Sequence, residues 1–157
     1  MAEIYQTKNF IVEAPDHPLV DRNDGGHIKI NPKVRVADRQ ALNPKLAVEV
    51  MRLTMVVGSA MAKVMNEHGV DVGRINYQDN GNWSVFKQEG PSFHLHLFGR
   101  AKSAKINKYG DAIFAGHREA GFYDNFKPLN QDDIEEIKKE IEKLFKEDKY
   151  SDKTWGL

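Results

Sequence analysis

The chain has 157 residues, with 23 Lys plus Arg against 23 Asp plus Glu, 40% apolar residues and no cysteine. A domain of this length can bury about two thirds of its unfolded surface without a covalent staple. The absence of thiols excludes a disulfide scaffold, a Cys-ligated zinc or iron–sulfur centre and thiol catalysis.

The balanced charge gives no sign of a nucleic-acid binder, and no apolar run approaches the roughly 20 residues of a membrane span. Met1-Ala2-Glu3-Ile4 lacks the basic start and apolar stretch of a secretory signal. The expectation is one cytoplasmic domain over 1–149 with a polar tail at 150–157, and no nucleic-acid or membrane partner.

Residues 8–14 read as a strand, with Phe10, Ile11 and Val12 as β-formers and Pro15 as its stop. His27-Ile28-Lys29-Ile30 alternates with period two directly after Gly25-Gly26 and predicts a second strand. Residues 44–68 carry the strongest helical signal. Asn43 is an N-cap, Pro44 suits the first turn and Gly69 suits the C-terminal stop. Leu46, Val50, Leu53, Val57, Met61 and Val64 form one stripe, and Met51, Met55, Met61 and Met65 read as core filler.

Arg74 to Tyr77 predicts a strand, Asp79 to Asn82 a turn, and Ser84-Val85-Phe86 a short strand or part of a loop. Phe93 to Phe98 predicts another strand. Residues 101–128 show no period but carry Phe114, Phe122, Tyr123 and Phe126, too many aromatics for a free linker, so the region should pack on the body or cover a site. Asn130 caps a last helix whose stripe is Ile134, Ile137, Ile141, Leu144 and Phe145. The class is α+β: an antiparallel sheet of about five strands with one long and one shorter helix.

The chemistry concentrates in Ser92-Phe93-His94-Leu95-His96-Leu97-Phe98-Gly99-Arg100. Strand alternation sends Phe93, Leu95 and Leu97 one way and Ser92, His94, His96 and Phe98 the other. Two imidazoles on one strand can divide labour, one attacking and one trading a proton, because both titrate near neutrality. His-x-His with a third ligand, from His27 or His117, is also a zinc arrangement. Ordinary half-exposed strand histidines fit the spacing as well. The basic run Arg100, Lys102, Lys105 and Lys108 suits a phosphate-bearing ligand or a solvated loop.

This stretch resembles the end of the histidine-triad (HIT) signature, His-φ-His-φ-His-φ-φ with φ apolar. Gly26-His27-Ile28-Lys29-Ile30-Asn31-Pro32-Lys33 resembles that family's Gly-His-x-Leu-x-Ile-Pro-Lys segment. The strand at Phe10-Ile11-Val12, the 44–68 helix and the Asn76 strand follow in the family's order, so the likeness covers roughly residues 8–100. Anchoring on Phe98-Gly99-Arg100 puts His94 at the central, nucleophilic position, His96 at the third and Ser92 where the family has its first histidine. A shift of two would make His96 the nucleophile and Phe98 the third member; the Gly99-Arg100 ending favours the first register.

The resemblance implies attack by His94 on a nucleotide α-phosphorus and a nucleotidyl-histidine intermediate that water cleaves. Substrates would be dinucleoside polyphosphates or nucleoside phosphoramidates. His96 would donate to the bridging or leaving oxygen and His27 would support the pocket. Asn76 would lie near ribose or phosphate, Arg100 would meet distal phosphates by its charge, and Glu13 or Asp16 would hold the ribose. No metal ligand set and no cofactor is required, although Mg²⁺ can accompany a polyphosphate. The family's habit implies a homodimer, with the tail at 153–157 reaching the partner's pocket. Two alternatives stand beside this: a nucleotide-binding module with little catalysis, since Ser92 breaks the triad, and a metal hydrolase using His27, His94 and His96.

Overall fold

The computed structural model describes residues 1–84, 86 and 88–157. Five antiparallel strands form one sheet: β1 (Ala2–Gln6), β2 (Phe10–Ala14), β3 (His27–Pro32), β4 (Val72–Gln78) and β5 (Leu95–Ala101), in the spatial order β1-β2-β3-β5-β4. The helices are α1 (Pro44–Glu67), α2 (Gln131–Leu144) and the short α3 (Asp152–Trp155). This is the expected α+β architecture, with one strand that the sequence pattern did not announce. β1 carries few β-formers and is recruited by pairing with β2 across a register shift between Glu3 and Tyr5.

Helix α1 begins where its cap dictates, the Asn43 side chain accepting the Leu46 N–H at 3.0 Å. It ends at His68 and Gly69, the latter at φ +83°. Its stripe Val50, Leu53, Val57, Met61 and Val64 packs with Ile134, Ile137 and Ile141 of α2 on one face of the sheet, against Ile4, Val12, Ile28, Ile30, Leu95 and Leu97. Met61 and Met65 are core residues, but Met51 is 57% exposed, because its helical position falls outside the stripe.

The opposite face of the sheet carries a smaller apolar cluster in which Leu19, Val20, Tyr123 and Phe126 cover Phe98. Part of the 101–128 region therefore packs on the body. Of the predicted 84–86 segment, Ser84 ends a 3-10 turn and Val85 lies outside the described residues.

Residues 150–157 fold back onto their own chain. Tyr150 is buried in the core, Arg52 binds the Tyr150 carbonyl at 3.0 Å and the Asp152 carboxylate at 2.7 Å, and Trp155 donates to the Lys149 carbonyl at 2.7 Å. No helix among the described residues is long and apolar enough to cross a membrane.

Candidate active site

Strand β5 lies between β3 and β4 and is buried along its whole length. Alternation directs Leu95 and Leu97 to the helices, and His96 and Phe98 to the other face. His94 sits just before the strand. Its ring meets His96 edge-on at 4.7 Å between centroids, and His96 stacks on Phe98 at 5.4 Å. His27 starts β3 opposite Phe98 and its ring lies 5.0 Å from His96.

The glycines make this approach possible. Gly25 at φ +131° and Gly99 touch backbone to backbone, so a Cβ on Gly99 would stand 2.0 Å from the Gly25 carbonyl oxygen. The Gly99 N–H donates to the Gly26 carbonyl at 3.1 Å, holding the two strands at that spacing.

Hydrogen bonds place the protons. His94 Nδ1 lies 2.9 Å from the Ser92 carbonyl, which can only accept, so Nδ1 carries the proton and Nε2 presents a lone pair. Burial pushes His94 below its ordinary 6.5. The Lys29 charge pushes the same way, against the Ser92 carbonyl and Asp79. The Leu19 backbone N–H donates to His27 Nδ1 at 3.1 Å, so that nitrogen is bare and neutral His27 holds its proton on Nε2. His27 Nε2 in turn lies 2.8 Å from His96 Nδ1, which leaves the His96 proton on Nε2. The pair thus offers one nucleophilic nitrogen, on His94, and one N–H donor, on His96.

Ser92, which stands where the family has its first histidine, contributes its main-chain carbonyl to this arrangement. Asn76 is half-buried on β4 and pairs across from Phe98, which puts it on the histidine face. Gln78, one pair further along, faces His96 directly.

Lys29 pairs across from His96 on β3, and Glu13 pairs across from Lys29 on β2. A polar row therefore crosses the sheet: Gln78, His96, Lys29, Glu13. Beside it the Asn31 amide donates to the Glu13 carboxylate at 2.6 Å. Of the two acids weighed for ribose, Glu13 shares the histidine face. Asp16 is exposed and paired with the N-terminal amine of Met1.

Arg100 departs from expectation. It is 3% exposed, and its guanidinium donates to the carbonyls of Lys108 and Asp111, both at 2.7 Å, and more weakly to Asn107 at 3.5 Å. Asp24, also buried, takes the N–H groups of Lys105, Ile106 and Asn107, each at 2.9 Å. The two charges grip one loop, Arg100 by its acceptors and Asp24 by its donors. Arg100 is therefore a loop clamp and not a group open to distal phosphates: three carbonyls gather on its Nη2 and offset part of its lost hydration, while its buried Nε has no hydrogen-bond partner among the described residues.

The three-histidine metal reading also meets an obstacle. A metal needs a lone pair from each ligand, and the facing nitrogens of His27 and His96 are bonded to each other. Among the described residues no group of three or more His, Cys, Asp or Glu is placed to hold an ion. His117, the other candidate third ligand, lies exposed on its loop.

Sequence reasoning missed Lys29 and Leu19. The alternation in His27-Ile28-Lys29-Ile30 already put Lys29 on the His27 face, but its pairing with His96 needed the strand order. Leu19 acts through its backbone, which no side-chain pattern reports.

No protein-family model and no curated protein sequence matches the chain. Solved structures do. A hypothetical histidine triad nucleotide-binding protein from Sulfolobus tokodaii superposes with a TM-score of 0.58 at 17% identity, covering 91% of this chain and 85% of that one. A zinc-bound histidine triad family protein from Mycobacterium smegmatis gives 0.58 at 16% identity, covering 90% and 84%. A HIT-like protein involved in cell-cycle regulation from Bartonella henselae, solved with an unknown ligand, gives 0.56 at 16% identity, covering 89% and 83%. The chain has the histidine-triad fold.

Proposed function

We propose that this chain is a nucleotide hydrolase or nucleotidyl transferase that acts at an α-phosphate through a covalent adduct on His94. The observation that carries the reading is the His94 Nδ1 contact to the Ser92 carbonyl at 2.9 Å, which fixes a bare Nε2 on a half-buried ring. The fold supports it, since one of the similar structures is a nucleotide-binding histidine triad protein.

In the first step the Nε2 lone pair forms a P–N bond as the bond from phosphorus to the leaving group breaks. The Nδ1–H stays on the Ser92 carbonyl and shares the positive charge that develops on the ring. Water then attacks phosphorus, the P–N electron pair returns to Nε2, and the water's proton passes to solvent. His96 donates its Nε2–H toward the departing atom. His27 positions His96, and Asn76 and Glu13 contact the nucleotide on the same face. Mg²⁺ accompanies a polyphosphate substrate through the phosphates alone.

We extend the reading to a homodimer. Strand β4 is a sheet edge. Beside it an apolar cavity of about 420 Å³ is lined by Leu42, Val50, Met51, Met55, Tyr77 and Phe93. A second copy laid along α1 and β4 would cover exposed Met51 and Tyr77.

The test is to mix the protein with a dinucleoside polyphosphate, quench in denaturant and weigh it. A mass increase of one nucleotide that maps to His94, and vanishes in His94→Asn along with turnover, supports the reading. Turnover retained in His94→Asn overturns it. Binding without adduct or turnover favours the binding-module alternative.

A further inference from the structure

The helix side of the sheet holds a second concave surface, behind the histidine strand. Phe93 and Leu95 flank His94 in sequence, and both belong to the core under α1. They form the floor of the apolar cavity of about 420 Å³ beside β4, a size that falls in the range of about 300–1,000 Å³ that holds small ligands. Val50, Met51 and Met55 of α1 form one wall and Tyr77 of β4 another. The Tyr77 ring lies close against α1 because residue 58 is glycine: a Cβ there would stand 2.1 Å from the Tyr77 hydroxyl. The interior offers little to a polar ligand, since the Thr54 hydroxyl already donates to the Met51 carbonyl at 2.7 Å.

The mouth of the cavity is cationic. Exposed Arg39 lines it from a 3-10 turn, Arg39–Ala41, whose Asp38 cap accepts the Gln40 N–H at 2.7 Å. The segment before that turn is pinned in place. The Phe93 N–H donates to the Val36 carbonyl at 2.7 Å, and Arg35 donates to the carbonyls of Glu89 and Pro91. Among the described residues no side chain pairs with Arg39, and no acid lines the cavity. Lys45 adds an exposed cation in the first turn of α1, where the positive end of the helix dipole lies. An apolar interior with an unpaired guanidinium at its mouth fits a hydrocarbon chain that ends in a carboxylate. Unbranched methionine side chains, two of which line the wall, adjust readily to such a chain.

We propose that this cavity is a binding site for a free medium-chain aliphatic carboxylate, its chain between α1 and the reverse of the histidine strand and its head group on Arg39. The site gives a use to Met51, which is 57% exposed and lies outside the packed stripe of its helix. It is separate from the nucleotide face, because the alternation that turns Leu95 toward the cavity turns His96 away from it. A second copy laid on α1 and β4 is the rival occupant.

Isothermal titration calorimetry of the full chain with octanoate, decanoate and octanol, at fixed ionic strength, tests this. One saturable site per chain is expected. Each buried methylene strengthens binding about fourfold, so decanoate should bind about tenfold or more tighter than octanoate. Arg39→Gln should weaken octanoate by up to about fivefold, the upper end for an exposed ion pair, and leave octanol unchanged. Ala47→Phe sets a ring in the mouth from an exposed position of α1, and Met51→Trp does so from the next turn. Either should abolish uptake while the unliganded protein melts as the parent does. No saturable uptake by the parent, equal losses of octanoate and octanol in Arg39→Gln, or full binding in both blocking variants overturns the proposal. Sedimentation of the same samples reads the rival: a parent that stays dimeric and takes up no octanoate gives the cavity to the second copy. No turnover is measured, so this outcome is distinct from the fate of the hydrolase reading.

Discussion

Asp133 has no solvent exposure and accepts from four directions. Arg22 binds it bidentately at 2.6 and 2.7 Å, His68 Nδ1 at 2.7 Å and the Asn130 N–H at 3.0 Å. It is also the N3 member of the α2 capping box. The carboxylate thus ties the start of α2, the end of α1 and the Arg22 turn that leads into Gly25, Gly26 and His27. Asp133→Asn keeps the shape and removes the charge. Breaking a buried ion pair costs about 3–5 kcal/mol, much of it the partner left stranded. The Arg22 side chain keeps 18% exposure and can partly rehydrate, which favours the lower end, about 3 kcal/mol. A protein of this size loses about 2–4 °C in Tm per kcal/mol, so Asp133→Asn should melt about 6–12 °C lower.

The pH dependence supplies a second readout. Burial alone would raise the Asp133 pKa, but hydrogen bonds from Arg22, His68 and Asn130 outweigh it and hold the group below 3.8. A depressed carboxylate stabilises the fold above its unfolded pKa and loses that contribution as pH falls through the folded one. The variant should therefore show a weaker fall in stability below pH 3.8 than the parent. Differential scanning calorimetry from acid to neutral pH measures both. A neutral-pH shift under about 2 °C would refute the hub. The double replacement Arg22→Met with Asp133→Leu should recover part of the loss, since an apolar pair strands no charge.

Three further outcomes follow from the geometry. The acid limb of kcat/KM should lie below 6.5, because burial and Lys29 both disfavour protonated His94, and Lys29→Met should move that limb upward; a limb unmoved in the variant removes Lys29 from the site. Arg100→Met should destabilise the fold by about 2 kcal/mol in urea titration, through the Lys108 and Asp111 carbonyls it abandons, while KM changes less than about threefold. A large KM effect with intact stability would restore Arg100 as a ligand. Gly99→Ala should cost about 3 kcal/mol or prevent accumulation of folded protein, because the added methyl meets immovable backbone; a parental melting curve contradicts the contact.

The readable part of the molecule was the part written in periodicity and capping. Asn43, Pro44 and Gly69 bound α1 to within one residue of the predicted 44–68, and Asn130 marks the start of α2. The alternation assigned the correct faces to Leu95, His96, Leu97 and Phe98. β1 escaped because Ala2-Glu3-Ile4-Tyr5-Gln6 gains its strand character from β2 and little from its own residues. Arg100 was misjudged for a related reason. A cation after a histidine strand looks available for phosphate until the 105–111 loop folds over it, and that closure depends on Asp24, 76 positions earlier. Lys29 joined the site only through the strand order, which also separated Glu13 from Asp16.

The tautomers of His27 and His96 are anchored on a main-chain nitrogen, that of Leu19. Replacing the Leu19 side chain leaves that nitrogen in place, so substitutions at position 19 alter packing against Phe98 while the electronic state of His27 and His96 passes unchanged from variant to variant. Proline alone deletes the donor. Drift in the side chains can reshape what the pocket admits, but the direction in which its protons point belongs to the path of the chain.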